Sequence, residues 1–271
     1  MSGTSTVSPP GAPRCGDAKV LEITPYGPDG RAYGLWLLTV ENPGITAVKP
    51  GQFAMVRPAS WGFDPLWARP FSLCRVLPER LVFHFQVAGR GTAALTKLRV
   101  GESVAVWGPL GNGFAVERGT PTLLVAGGIG LAPFVEYAAM HPDPASLSLL
   151  FGHRPPLSCY PFADLAGLMP AASFQDKNLE DIKRFVSLLE ERIASHTKAP
   201  NALILACGPT PLLKTVRELA LRHGARCQVS LENRMACGVG ACLGCVATTS
   251  DGQHTQTCIK GPVFWADTIT L

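Results

Sequence analysis

From Lys19 onward, short apolar runs rich in β-branched and aromatic residues alternate with turn residues. The runs are Val20–Thr24, Tyr33–Val40, Gln52–Arg57, Phe71–Val76, Leu81–Val87 and Ser103–Val106. Asn42-Pro-Gly44, Lys49-Pro-Gly51 and Leu77-Pro-Glu79 separate them. Short strands at this spacing, with one helical stretch at Thr92–Leu98, predict a small antiparallel β-barrel over residues 17–116.

At Pro121 the texture changes. Thr122–Ala126 reads as a buried strand, followed by a glycine-rich turn and a helix to about Met140. Leu147–Phe151 and Ala202–Ala206 are further apolar strands, and Pro211–Arg222 a helix. In Leu179–Ser195, Ile182, Phe185, Val186, Leu189 and Ile193 follow helical spacing. This βαβα alternation predicts an α/β domain with a parallel sheet over residues 117–227. Residues 228–271 are left as a small cysteine-rich module. Residues 1–16, rich in Ser, Pro and Gly, are expected to form a disordered leader.

Composition narrows the class. The chain has 271 residues, of which 46% are hydrophobic and 16% charged, as in a well-buried globular protein. The net charge of +4 is dispersed, with no Lys/Arg run, which argues against nucleic-acid binding. No apolar stretch approaches the roughly eighteen residues a membrane helix needs. The first twenty residues lack the apolar region of a signal peptide, so a reducing, cytoplasmic location is expected.

Against that background the nine cysteines carry chemistry. Cys237, Cys242 and Cys245 have the spacing C-x4-C-x2-C, and Cys258 follows after twelve residues. This is the plant-type arrangement for a [2Fe–2S] cluster. Gly238, Gly240 and Gly244 stand where the backbone has to bend tightly around it. Zinc and disulfides are the alternatives. Zinc sites usually use two C-x2-C knuckles, and only Cys242 and Cys245 have that spacing. Disulfide frameworks suit short secreted scaffolds. The other five cysteines, Cys15, Cys74, Cys159, Cys207 and Cys227, read mostly as buried thiols.

Four further motifs stand upstream. Arg69-Pro-Phe-Ser72 opens a strand, and Gly91-Thr92 opens the helical stretch that follows Leu81–Val87. An Arg and a helix start can face an anion, although a surface charge and an ordinary N-cap are the plainer readings. Gly127, Gly128 and Gly130 lie in a G-x-G-x-x-P turn between strand and helix, where a dinucleotide pyrophosphate can approach the backbone. Cys207-Gly208-Pro209 ends the Ala202–Ala206 strand, the edge at which α/β sheets place ligands. Cys207 reads as a positioning residue or a structural thiol.

The order of these motifs, with Gly108-Pro-Leu-Gly-Asn-Gly113 between the two domains, resembles the ferredoxin–NADP reductase superfamily. The resemblance implies that FAD lies along Arg69, Pro70, Phe71 and Ser72. It also implies contacts from the strand residues His84, Phe85 and Gln86, and from Gly91 and Thr92. His84 is equally well read as an ordinary strand histidine. By the same resemblance Cys207, Gly208 and Pro209 lie near the nicotinamide. Hydride passes directly between nicotinamide and flavin, so no catalytic side chain is assigned.

The C-terminal segment from Ser230 through Met235-Ala-Cys-Gly-Val-Gly-Ala-Cys-Leu-Gly-Cys245 to Gly261-Pro-Val-Phe264 is similar to the electron-transfer subunits of class B dihydroorotate dehydrogenases. That resemblance covers residues 18–271. It implies a separate FMN-containing catalytic subunit, assembled with this chain as a heterotetramer. Electrons would pass through [2Fe–2S] and FAD to NAD+, in pyrimidine biosynthesis. Cys258 is assigned as the fourth ligand because no other cysteine lies downstream. Val239, Leu243 and Trp265 are expected to be partly interfacial, or else to pack the module's own core.

The coenzyme is chosen as NAD from the resemblance alone. No acidic residue closes the Leu147–Phe151 strand, where His153 and Arg154 follow instead. The nearest alternative is a subunit of an NADH-dependent ferredoxin–NADP oxidoreductase or a sulfhydrogenase-type complex. A non-enzymatic metal-binding docking module is a third reading, which predicts no flavin.

Overall fold

The computed structural model describes residues 11–271. The first half is a curled antiparallel sheet. It is built from β1 (Arg14–Pro25), the short helix α1 (Gly30–Tyr33), β2 (Leu35–Glu41) and β3 (Phe53–Pro58). It continues with β4 (Arg69–Ser72), β5 (Arg75–Val76), β6 (Arg80–Gln86), α2 (Arg90–Leu95) and β7 (Ser103–Leu110). The strand order is β4-β3-β7-β1-β2-β6-β5. Alternation decides which side chains fill it: in β6, Leu81, Phe83 and Phe85 point into the barrel core with Val20, Leu38 and Val106.

The second half runs β8 (Thr122–Gly127), α3 (Ala132–Met140), β9 (Leu147–His153), α4 (Phe162–Ala166), β10 (Ala171–Gln175), α5 (Leu179–His196), β11 (Leu203–Cys207), α6 (Thr210–Arg222) and β12 (Arg226–Ser230). Every residue of β8 is buried. Helices cover both faces of its sheet: Phe134 and Tyr137 of α3 pack on one side. Phe185 and Leu189 of α5 and Val216 of α6 pack on the other. The strong apolar periodicity of α5 marks this packing face. Asn178 caps the helix, its Oδ1 accepting from the Asp181 amide at 3.0 Å.

The cysteine-rich segment adds β13 (Val246–Thr249), β14 (His254–Gln256), α7 (Thr257–Lys260), β15 (Val263–Trp265) and β16 (Ile269–Thr270). Strands β14, β13 and β16 make a small sheet, but β15 joins the large one.

Three sequence expectations differ from the structure. Residues 14–16, assigned to the leader, form the start of β1 and pair with Gly108, Trp107 and Val106 of β7; residues 1–10 lie outside the described residues. The boundary at 227/228 cuts through β12. The parallel sheet expected over 117–227 is present, with β10, β9, β8, β11 and β12 all parallel, and β15 of the cysteine-rich segment adds an antiparallel edge on β12. The strand expected over 71–76 is two strands, β4 and β5, broken after Ser72. Strand β10 was not anticipated. It is the other edge strand, and its Ala-Ala-Ser start has no aliphatic run to mark it.

Asn112 clasps the module to the barrel. Its side-chain amide donates to the carbonyls of Lys260 at 2.9 Å and Val263 at 2.7 Å. Its Oδ1 accepts from the Val263 amide at 3.0 Å. Its backbone amide donates to Gly261 at 2.6 Å.

Candidate redox site

The cysteine loop rests on the barrel. Gly238 and Gly240 adopt φ of 73° and 79°, conformations that favour glycine. A Cβ at Gly238 would come within 2.6 Å of Met55 Cγ. Met55 belongs to β3 and pairs directly with Pro70 of β4. The loop is thus seated one strand from Arg69-Pro-Phe-Ser72. Phe53, Met55, Ala68 and Leu110 form a single core with Cys245 and Cys258, flanked by Trp107 and Met235. Cys245 and Cys258 are buried, Cys237 is half-buried and Cys242 is exposed.

The four thiols fall into two pairs. Cys237 and Cys242 have their sulfurs 3.3 Å apart. Cys245 and Cys258 lie against each other, and burial together with the Cys245 thiol pushes the Cys258 thiol up to about 12. Backbone amides aim at the sulfurs. Val239 and Cys242 donate to Cys237 Sγ at 3.4 Å, Gly240 to Cys258 Sγ at 3.2 Å, and Cys258 to Cys245 Sγ at 3.4 Å. Such donors favour thiolate charge and offset part of its burial cost. Two adjacent thiol pairs suit two iron ions, each taking two thiolates. The donor set suits [2Fe–2S], and Cys258 lies within the same group, its Sγ accepting from the Gly240 amide of the loop.

Beside it, β4 and the start of α2 meet. A side chain at Gly91 would run into the Arg69 guanidinium. Arg69 Nη1 donates to Trp67 O at 2.6 Å, and its guanidinium lies 5.5 Å over the Trp61 ring. Burial and the nearby Arg90 both depress the Arg69 pKa. Arg90 is paired with Asp64 at 2.9 Å, whereas Arg69 Nη1 meets only the carbonyls of Trp67 and Ala68, and a pyrophosphate would suit its charge. Thr92 Oγ1 accepts from Ala88 N at 2.9 Å and Gly89 N at 3.1 Å, which sets the turn ahead of Gly91.

The remaining residues in this group divide. Pro70, Phe71 and Ser72 are half-buried. Phe71 packs on Phe85, with ring centres 5.3 Å apart, so both side chains support the strand from the barrel core. Gln86 is exposed at the end of β6. His84 faces the other way. It is 3% exposed, with its ring 4.9 Å from Tyr26 and 6.1 Å from Tyr160. Neither ring nitrogen makes a well-formed hydrogen bond. Burial depresses its pKa to about 4, opposed by the Cys159 backbone. The His84 side chain packs at the junction between the two halves, with Tyr26 and Tyr160 around its ring.

The glycine turn and Cys207-Gly-Pro come together at the carboxyl edge of the sheet. Strands β8 and β11 are neighbours, with β9 and β10 on one side and β12 on the other. This is a topological switch point, the usual ligand crevice of such sheets. A Cβ at Gly130 would strike the Cys207 carbonyl, and one at Gly208 would lie 3.0 Å from the Gly127 backbone. Burial pushes the Cys207 thiol up to about 12, which suits a positioning residue and not a nucleophile.

Sequence reasoning missed several contributors. Trp107 donates from Nε1 to the Cys237 carbonyl at 3.0 Å, a contact across 130 residues with no local signal. Asp176 closes β10 and accepts from Arg154 Nε at 2.8 Å, so a carboxylate does stand at the strand ends, one strand over. Trp265, expected to be partly interfacial or to pack the module's core, is 37% exposed, with Arg226 5.7 Å over its ring. It lines a groove of about 440 Å³ with Leu221, Gly224 and Asp267.

The comparisons agree with this geometry. The model of the iron–sulfur cluster binding domain of dihydroorotate dehydrogenase B matches residues 232–270. A solved structure of NADH-dependent reduced ferredoxin–NADP oxidoreductase shares the fold, with TM-score 0.78 at 21% identity, covering 100% of this chain and 91% of the other. Plasmodium falciparum ferredoxin–NADP+ reductase shares it at TM-score 0.63 and 12% identity, over 76% of this chain and 90% of the other. An Aquifex aeolicus dihydroorotate dehydrogenase B (NAD(+)) electron transfer subunit homolog is 32% identical over 94% of this chain and 98% of its own. The electron transfer subunit from Caldanaerobacter subterraneus subsp. tengcongensis is 31% identical over 81% of this chain and 86% of its own. Relatives alike along nearly their whole length, and a cysteine loop built onto a ferredoxin-reductase-like fold, place this chain in the family of dihydroorotate dehydrogenase B electron-transfer subunits.

Proposed function

We propose that this chain carries electrons from an FMN-containing, dihydroorotate-oxidising subunit to NAD+, the two kinds of subunit forming a heterotetramer. When bound, the cluster supplies a one-electron relay and FAD a converter between single electrons and hydride. The chain's own residues hold and space these groups. Cys237, Cys242, Cys245 and Cys258 would hold the cluster. Arg69, with the turn at Gly91 and Thr92, would hold the FAD pyrophosphate, and Pro70 and Ser72 would flank its ring. Gly127, Gly128 and Gly130 would admit the NAD pyrophosphate, with Cys207, Gly208 and Pro209 beside the nicotinamide.

The observation that carries this reading is the seat of the cysteine loop. Gly238 packs on Met55, and Met55 is paired with Pro70. A cluster held there has a short path to a flavin on β4.

The exposed apolar surface supports a partner on the same side. Val239, Leu243, Val246 and Ile259 are exposed around the cysteine loop. The loop that enters β4 through Ala68 exposes Leu66, Trp67 and, at 93%, Phe63. Exposed apolar side chains gathered along one loop are a feature of protein interfaces.

The test is the complex purified through this chain. An FMN-containing dihydroorotate dehydrogenase chain is expected to copurify, and dihydroorotate is expected to bleach the FAD without oxygen. A ferredoxin-linked partner, with no FAD reduction by dihydroorotate, would contradict the proposal.

A further inference from the structure

Helix α3 begins directly after the glycine turn of residues 128–131, and it carries a buried carboxylate. Glu136 is 4% exposed. Among the described residues it is the one Asp or Glu buried to this degree. Its Oε2 accepts from the Val76 amide at 3.2 Å and lies 3.2 Å from Arg75 Nε. The second contact is an ion pair whose N–H direction does not complete a hydrogen bond. Arg75 and Val76 form β5, three and four residues past Ser72. Around this contact the junction of the two halves is apolar: Leu35, Cys74 and Phe114 from the first half pack with Phe134 and Tyr137 of α3.

A charged side chain in an apolar junction is costly, and hydrophobic packing alone would hold the halves together at lower cost. The pair adds direction. Apolar surfaces slide over one another, whereas a carboxylate on a backbone amide and a guanidinium fixes one register. Its two ends are attached to the two halves of the redox site: the dinucleotide turn through α3, and the Arg69–Ser72 strand through β5.

We propose that Glu136 is a positioning residue that sets the nicotinamide against the flavin by locking α3 to β5. This rests on the reading of the two cofactor sites given above. Hydride transfer needs reacting atoms about 3–3.5 Å apart, so a small slip at the junction costs rate before it costs binding.

The experiment compares Glu136→Ala and Glu136→Gln with the parent in the full FAD-loaded chain. Stopped-flow reduction by NADH separates the limiting reduction rate from NADH affinity, and calorimetry follows unfolding without any turnover. Glu136→Ala is expected to lower the reduction rate about ten-fold, with NADH affinity and FAD content within two-fold. Its single melting transition should split as the halves uncouple. Glu136→Gln keeps an acceptor for the Val76 amide and should recover part of the rate. An Ala variant that melts earlier yet reduces at the parent rate would make Glu136 merely structural and overturn the proposal. If the Ala variant does not fold, Glu136→Gln decides alone, and a rate equal to the parent's overturns it. A parent that NADH fails to reduce would instead defeat the cofactor assignment, leaving the calorimetric split to report on the junction itself.

Discussion

The indole Nε1 of Trp107 donates a 3.0 Å hydrogen bond to the Cys237 carbonyl, tying the first cysteine of the loop to β7 of the barrel. A hydrogen bond of this kind contributes about 1 kcal/mol. Trp107→Phe is therefore expected to assemble the cluster and lose it about five-fold faster under oxygen. Bleaching of the iron–sulfur absorbance checks this, and an unchanged rate would show that the contact does not hold the loop.

Gly238 has no room for a side chain. Its φ is 73°, and the nearest atom to an added Cβ is Met55 Cγ at 2.6 Å. Gly238→Ala should prevent cluster assembly while leaving FAD bound, because the disturbance is local to the loop and β3. Iron and flavin per chain are measured together; a full iron content would contradict the seating of the loop on Met55.

Arg69 and Gly91 predict the opposite loss. Gly91→Ala would push the guanidinium out of place, and Arg69→Gln removes its charge. A charge-assisted contact is worth about 1.5–3 kcal/mol, so FAD affinity should fall roughly ten- to hundred-fold in either variant, with iron retained. Flavin fluorescence on dilution reads the affinity.

His84 makes stability depend on pH. Its folded pKa, about 4, lies below the ordinary value of 6.5, so the folded chain takes up its proton later than the unfolded chain. Stability is full above pH 6.5 and falls as pH drops toward 4. Between pH 7 and pH 5.5 the loss is about 1 kcal/mol, and His84→Leu should abolish that part of the slope. Urea unfolding at the two pH values measures it.

How legible this was in the sequence varies with the range of the interaction. The cysteine spacing and the two glycine turns are local signals, and the structure brings each together as a compact group. The apolar face of α5 was legible because Phe185, Leu189 and Ile193 share one helical face. His84 shows the limit. Alternation along β6 puts it on the face away from Phe83 and Phe85, which reads as solvent until the second half covers it with Tyr160. Asn112, Trp107 and Glu136 act on residues 60 to 151 positions away, so nothing beside them in the chain marks their roles. The pairing of β15 with β12 is likewise non-local, joining residues 263–265 to 228–230.

The most direct test of the relay is anaerobic titration of the cofactor-loaded chain with NADH, followed by visible absorbance and electron paramagnetic resonance. NADH is predicted to bleach the flavin and then to produce the signal of a reduced [2Fe–2S] cluster. In Cys242→Ser the flavin should still bleach and the cluster signal should be gone. If the folded Cys242→Ser chain lost flavin reduction as well, or if NADH left the parent's flavin oxidised, the division of labour described here would be wrong.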